Sequence, residues 1–460
     1  MGSPFGPPLR AAYDAALDHL DHLDSRPVGA TATLAELRAR LTKPLAHAGV
    51  SAEQVVRELA ADSAGGLVGN SGGRFYGWVM GGAVPASLAA DWLASAWDQN
   101  AVVYACSPAA AVVEEVTGEW LKELLGLPES ASFSLVTGCQ MAHVTCLAAA
   151  RHWLLEQRGW DVEERGLAGS SPIRILTSTE RHGSFDRAVR LVGLGRKAVH
   201  VLGCDDHGRL QPEALAAALA EDEIAPTIVL LQAGDLHMGT FDGFPALIPL
   251  AHRANAWVHV DGAFGLWAAA SPAYSHLMTG ASAADSWATD GHKWLNVPYD
   301  CGYAFVAHPA AHRAAMSHRA AYFSASDEAR DQMDWNPEWS RRARGFATYA
   351  AIRELGRDGV AALVDRCCRH AAALVQGIGA LPNAEVVWHA QINQGMVRFF
   401  DDDARTDAVI AAIQAGGDAF FGSSTFRGRR VMRISVCNWQ TSERDVEIAI
   451  EAARKAIMAV

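Results

Sequence analysis

The chain has 460 residues, half of them hydrophobic and a fifth charged, the make-up of a soluble globular protein long enough to build more than one core. Its 39 Lys and Arg against 51 Asp and Glu leave a net charge of −12, which argues against nucleic acid or an anionic membrane as the main partner. Eight cysteines, at 106, 139, 146, 204, 301, 367, 368 and 437, have neither metal-ligand spacing nor the density of a disulfide framework, so a reducing cytoplasmic setting and no metal are expected.

Residues 1–90 read as an N-terminal arm. The first of them lack the basic start and apolar core of a signal peptide, and nowhere does the chain offer ~18 uninterrupted apolar residues for a membrane-spanning helix. Helices are predicted over Leu9–Leu23 and Leu34–Leu41. The stretch "GNSGGRFYGWVMGGAVPA" follows, Gly-rich and aromatic together, as a loop pressed against something. From 91 to 340 short apolar runs alternate with helical patterns: "SFSLVTG", "IRILTST", "KAVHVLG", "TIVLLQAG", "WVHVDGA" and "CGYAFVAH" read as strands. The alternation predicts an α/β domain, a mostly parallel sheet covered by helices on both faces, with ligands at the carboxyl ends of its strands. From 341 to 460 the pattern changes to helices, then strands near "EVVWH", "GMVRFF" and "RVMRISVCN", then a helix from Ser442, a smaller α+β domain.

Four features carry chemistry. Asp261 ends the run "WVHVD", where a buried carboxylate needs a cationic partner. Lys293, in "TDGHKWLNVPYD", is expected to be desolvated, which lowers the pKa of an amine and frees it to attack an aldehyde. Thr137 and Gly138 lie between a strand and a helix beginning near Gln140, and the unpaired N–H groups of such a helix start bind phosphate. His182 falls just past another strand, at another helix start, where an imidazole can stack on a flat ring. Each is ordinary alone. Together they supply what pyridoxal 5′-phosphate requires: an aldehyde-capturing amine, an acid for the pyridine nitrogen, an anion cradle and a stacking ring.

From about Arg74 to Asp445 the sequence resembles the pyridoxal-phosphate-dependent group II amino-acid decarboxylases, which have the fold type I aminotransferase-like architecture. "HVDGAFG" followed by "DSWATDGHKW" carries the resemblance most specifically. It implies that Lys293 is the internal aldimine lysine and that Asp261 pairs with the pyridine nitrogen. Ala263 is then on one ring face and His182 on the other, with His292 beside the phosphate or the lysine. "TGCQMAH" is similar to the family's phosphate-cradle segment, giving Thr137, Gly138, Cys139 and Gln140. Asp290 falls where relatives often have an Asn on the phosphate, Asp235 near the cofactor's rim, and Arg433 where a small-domain residue binds the α-carboxylate. The resemblance also implies a homodimer with shared active sites, in which Tyr76 and Trp78 line the substrate entrance.

Two positions depart from the family's pattern. Gln140 and Met141 stand where Ser or Thr and then Glu are usual. The loop "SASDEARDQMDWNPEWSRR" lacks the tyrosine that protonates the substrate carbanion in aromatic amino-acid decarboxylases; Tyr322 lies just before it, and Trp335 is its nearest aromatic analogue. The implied activity is a lyase acting on an L-amino acid or amino-acid conjugate, α-decarboxylation through a quinonoid, with Tyr322, His182 or Lys293 returning the proton. The alternatives are decarboxylation coupled to oxidative deamination, giving an aldehyde, and β-elimination from a cysteine conjugate by a carbon–sulfur lyase. A catalytically silent protein that keeps the fold and binds cofactor is the non-enzyme alternative.

Overall fold

The computed structural model describes residues 3–318 and 329–460. By contacts the chain forms two compact units: one of Gly81–Ala372 and His389–Gly395, the other of Met1–Met80, Ala373–Trp388 and Met396–Val460.

The larger unit is built on a seven-stranded sheet. Its spatial order is Ser132–Val136, Gly302–Val306, Ser286–Asp290, Trp257–Asp261, Thr227–Gln232, Arg174–Thr177 and Val199–Val201. All neighbours are parallel except Gly302–Val306, which runs antiparallel to both of its own. The central strands are buried along their whole length, as expected where helices cover both faces of a parallel sheet. Helix Cys139–Glu156 contributes Cys146, Leu147, Ala150 and Leu154 to a core shared with Phe185, Ile228, Leu230 and Trp257.

One strand escapes the sequence reading. Ser286–Asp290 is flanked by the sheet on both sides and fully buried, yet Ser286, Thr289 and Asp290 are polar, so it presents no apolar run. Its presence puts the carboxylates of Asp261 and Asp290 at the carboxyl ends of adjacent parallel strands, with Asp261 paired to Ala288. The antiparallel strand completes this edge. Its first residue, Gly302, is partnered with Val136 on one side and Asp290 on the other.

The smaller unit holds a five-stranded sheet in the order Phe75–Tyr76, Phe420–Phe426, Arg429–Ser435, Gln394–Phe399 and Ala384–Trp388. Phe75–Tyr76 runs parallel to Phe420–Phe421, and this pairing draws the N-terminal residues into the same unit as the C-terminal ones. The helices before it are Gly6–Asp21, Leu34–Leu41 and Ala52–Ser63. The last helix, Glu443–Ala459, opens with a capping box between Ser442 and Asp445. The grouping differs from the three stretches drawn from the sequence, since residues 341–372 cluster with the large sheet. Helix Gly345–Gly379, which contains most of them, is broken at Gly356, whose left-handed φ of 62° suits glycine. No helix among the described residues is long and apolar enough to cross a membrane.

Gly302 has no room for a side chain: a Cβ there would stand 2.5 Å from the backbone of Gly138 and 2.9 Å from the Cys139 nitrogen. Gly302→Ala is therefore expected to force the start of the Cys139 helix off the sheet and cost about 1–3 kcal/mol, measured by urea unfolding. Gly126→Ala, where a Cβ meets nothing within 4 Å, is expected to lose only the smaller penalty of its positive φ.

Candidate active site

Asp290 is the hub of the strand-end cluster. Its Oδ1 accepts the Cys139 backbone N–H at 2.5 Å and lies 3.4 Å from His292 Nε2; its Oδ2 is 2.9 Å from Lys293 Nζ. The main chain of Asp290 is also fixed, its N–H donating to Ala263 O at 3.0 Å and its carbonyl accepting from Trp267 Nε1 at 3.1 Å. His292 accepts the Cys301 N–H on Nδ1 at 3.1 Å and stacks on Tyr299 at 4.3 Å. Burial, ahead of the neighbouring charges, pushes its pKa down, so it is a neutral ring.

Asp261 lies across from this hub, on the next strand. Its Oδ1 accepts the Ala263 N–H at 3.1 Å and lies 3.9 Å from the Cys139 thiol, while its Oδ2 is 3.5 Å from His143 Nε2. Burial works against ionising this carboxyl, but His143, and then His182 and Lys293, hold it well below the usual carboxylate range. The carboxylate is charged at any physiological pH. The Cys139 thiol is the reverse case, driven well above its ordinary pKa by burial and by Asp261 and Asp290, and so stays protonated.

Lys293 departs from the expectation of a lowered pKa. Burial does push it down, but the carboxylates of Asp290 and then Asp261 outweigh burial and raise it. In this state the amine is an ammonium held by Asp290. Its main chain is clamped as well: a Cβ on Gly81 would lie 1.8 Å from the Lys293 carbonyl oxygen, and Val84 N–H donates to Asn296 O at 2.9 Å. The segment after "GWVM" is thus the loop pressed against something, and what it presses on is the lysine loop.

Lys293, Asp261, Asp290, His292, Gly138, Cys139 and Ala263 come together at one end of the sheet. Thr137 and Gln140 flank the helix start, and His182 caps helix Gly183–Leu191, its Nδ1 2.7 Å from Ser184 Oγ, close enough for its charge to act on Asp261. Asp235 is buried with its carboxylate taken up by its own turn, accepting the N–H groups of His237, Met238 and Thr240 at 2.7–2.9 Å. Tyr322 lies outside the described residues. Trp335 is engaged by the fold, edge-on to His312 at 5.4 Å with its carbonyl bonded to that ring.

The remaining expected residues belong to the smaller unit. Tyr76, expected at an open entrance, is fully buried there, stacked 5.0 Å from Phe421; an aromatic paired into a sheet edge packs inward. Trp78 is exposed and lies 5.6 Å from Phe420. Arg433 is buried in its strand, opposite Gly422. The residue that sequence reading missed is His143. It sits one turn into the helix, and its only signal was a polar residue on the apolar face of "CQMAHVTC".

These residues fit pyridoxal phosphate. The Cys139 helix opens with no side-chain cap and no acidic residue in its first turn, leaving N-terminal amides for an anion. A Cβ on Gly138 would stand 3.1 Å from His292 and 3.4 Å from Asp290, so the helix start has to be bare backbone. An ionised acid and a primary amine share the same strand ends. The fold and this donor set define a fold type I, pyridoxal-phosphate-dependent enzyme.

Comparison with known proteins carries the assignment further. Residues 43–400 match the pyridoxal-dependent decarboxylase conserved domain. The chain is 26% identical over 450 residues to an aromatic-L-amino-acid decarboxylase of Bacillus atrophaeus, covering 95% of this chain and 92% of the relative. It is 26% identical over 358 residues to a 4-hydroxyphenylacetaldehyde synthase of Rhodiola rosea, covering 75% and 72%. The crystal structure of Oryza sativa TDC with PLP and tryptamine has the same fold, with a TM-score of 0.91 at 23% identity over 98% of this chain and 97% of that one. The chain belongs to the group II pyridoxal-phosphate-dependent decarboxylase family, whose members are carboxy-lyases acting on amino acids.

The ion pair makes a measurable claim. In Asp290→Asn the anion is gone and burial remains, so the Lys293 pKa is expected to fall. Reductive methylation of Lys293 at pH 8, followed by mass spectrometry of the peptide, should run about tenfold faster for each unit the pKa drops. An unchanged rate would show that Asp290 does not control the amine.

Proposed function

We propose that the protein decarboxylates an L-amino acid at its α-carbon, with an apolar or aromatic side chain as the substrate class. The observation that carries this reading is the presence of an amine, Lys293, held by Asp290 at the end of one strand, and of an ionised acid, Asp261, at the end of the next. The relatives named for aromatic amino acids support the substrate class.

Pyridoxal phosphate, when bound, supplies an aldehyde that bonds an amine and a ring that accepts electrons from the substrate's α-carbon. Asp261 presents a charged acceptor to the protonated ring nitrogen, and its neighbours keep it charged. The amides at the start of the Cys139 helix, with the side chains of Thr137 and Gln140, would hold the phosphate; the amide of Gln140 would donate where a hydroxyl is usual. Lys293 has to lose a proton before its nitrogen can bond a carbon, and Asp290 Oδ2, 2.9 Å away, holds that proton on the amine, so the ion pair has to open first. His182 and Ala263 hold the ring between them, and His292 steadies Asp290. In this reading Asp290 serves the lysine and the helix start, since a carboxylate set directly against a phosphate would repel it.

The second reading, oxidative deamination to an aldehyde, is favoured by one observation. The stretch from 323 to 341 contains no tyrosine, and the indole of Trp335, already packed on His312, has no acidic proton to give. Slow protonation of the α-carbon leaves a carbanion that dioxygen can trap. The relative named 4-hydroxyphenylacetaldehyde synthase supports keeping this product in view.

A homodimer is part of the proposal. Phe5, Leu9, Tyr13 and Leu17 are all exposed, and their spacing of four sets them along one face of the first helix, an apolar stripe of the kind that a second subunit covers.

Protein loaded with cofactor is expected to absorb at ~410–430 nm, and Lys293→Ala to lose the band. Mass spectrometry of products from tryptophan, tyrosine, phenylalanine and 3,4-dihydroxyphenylalanine, with and without dioxygen, separates the readings. An amine in both atmospheres establishes decarboxylation; an aldehyde that needs dioxygen establishes oxidative deamination; a thiol with pyruvate from a cysteine conjugate would replace both.

A further inference from the structure

Behind Asp261 runs a chain of buried polar groups. Asp261 Oδ2 is 3.5 Å from His143 Nε2; His143 Nδ1 is 2.9 Å from His259 Nε2; His259 Nδ1 is 2.9 Å from Ser286 Oγ, which accepts from Trp257 Nε1 at 2.8 Å. His143, His259 and Ser286 are 0% exposed. Phe185 meets His143 edge-on at 5.6 Å and lies flat on His259 at 6.1 Å, so neither ring is free to turn over.

One direction for the chain satisfies both ends. An indole N–H only donates and a carboxylate only accepts. Ser286, having accepted from Trp257, donates to His259 Nδ1. His259 then carries its proton on Nε2 and donates to His143 Nδ1. His143 in turn carries its proton on Nε2, aimed at Asp261, with the Cys139 sulfur 3.5 Å from the same nitrogen. Every atom along the line is then satisfied, and burial lowers the His259 pKa to about 3, in keeping with a neutral His259 ring. The opposite polarity with a neutral His143 would set its bare lone pair against the carboxylate.

We propose that His143 is the positioning residue for Asp261: its Nε2–H holds Oδ2 and, through His259, Ser286 and Trp257, ties the carboxylate to its own strand and the next. The role is to aim the other oxygen and preserve its charge at the point where the cofactor's ring nitrogen arrives. His143 does not itself touch the ring. This inference rests on the reading of Asp261 as the acid that faces that nitrogen.

Two cofactor forms test it without any turnover. Cofactor-free protein is titrated with pyridoxal phosphate and with its 1-deaza analogue, which has carbon in place of the ring nitrogen. Wild type should prefer pyridoxal phosphate; equal affinity would overturn the role of Asp261 itself and leave the hydrogen-bonded chain to be judged separately. His143→Leu should lose about tenfold to a hundredfold in affinity for pyridoxal phosphate, the worth of one hydrogen bond to a charged group, and keep its affinity for the analogue. His143→Gln, which retains an N–H donor, should recover much of the preference. Equal losses for both ligands in His143→Leu, or a wild-type preference left intact by it, overturns the proposal. Nitrogen-15 NMR of histidine-labelled, cofactor-free wild type reads the chain with no substitution: Nε2 of His143 should carry a proton, and a bare Nε2 there overturns it.

Discussion

Two carboxylates end adjacent parallel strands inside the larger unit, and most of what surrounds them keeps both charged. Isolated, either would cost several kcal/mol or take up a proton. Asp290 is matched by the Lys293 ammonium and the Cys139 amide. Asp261 is matched by the Ala263 amide, His143 and the more distant charge of His182. The division of partners explains why two chemically identical groups do different things. One is bonded to a mobile amine that can leave it; the other is bonded to groups that cannot. Only the second can act as a fixed counter-charge.

The geometry that allows this comes from a single reversal in the sheet. Because Gly302–Val306 runs antiparallel, its first residue shares an edge with the last residues of its neighbours, and the Cys139 helix can begin directly over it. The glycine at 302 lets its main chain approach that of Gly138 and Cys139 to a distance that no side chain permits. The helix start, the lysine loop and the two acids therefore meet at one edge without any long loop to carry them.

Much of this was legible in the chain itself. The apolar runs at 132, 174, 227, 257 and 302 mark strands because both sheet faces are buried, and the residues just past them are where a parallel sheet keeps its ligands. Asp261 and the Gly138 turn were found that way, and Lys293 from its setting between His292 and Trp294 ahead of the run at 302. Ser286–Asp290 was not, since its buried hydroxyls and carboxylate are satisfied by partners distant in sequence, Trp257 and His259 for Ser286 and the Cys139 amide for Asp290. His143 was invisible for the same reason: one histidine on an apolar helix face acquires meaning only when a second histidine is folded against it. The sign of the Lys293 shift also turned on Asp290, which the family resemblance placed on the phosphate rather than as a carboxylate 2.9 Å from the amine.

The contacts that assemble this edge are long in sequence. Cys139 reaches Asp290 across 151 positions and His143 reaches His259 across 116, while the glycine at 81 seats itself on the carbonyl at 293. During synthesis on the ribosome, which proceeds from the N-terminus at about 5–20 residues per second, the helix beginning at 139 emerges well before any of the groups it will hold. A nascent chain stopped short of residue 302 would carry the early strands and the phosphate-binding turn, but neither the strand that supports that turn nor a fully seated lysine. Vitamin capture accordingly has to wait until the last strand of the large sheet has been threaded between two already made.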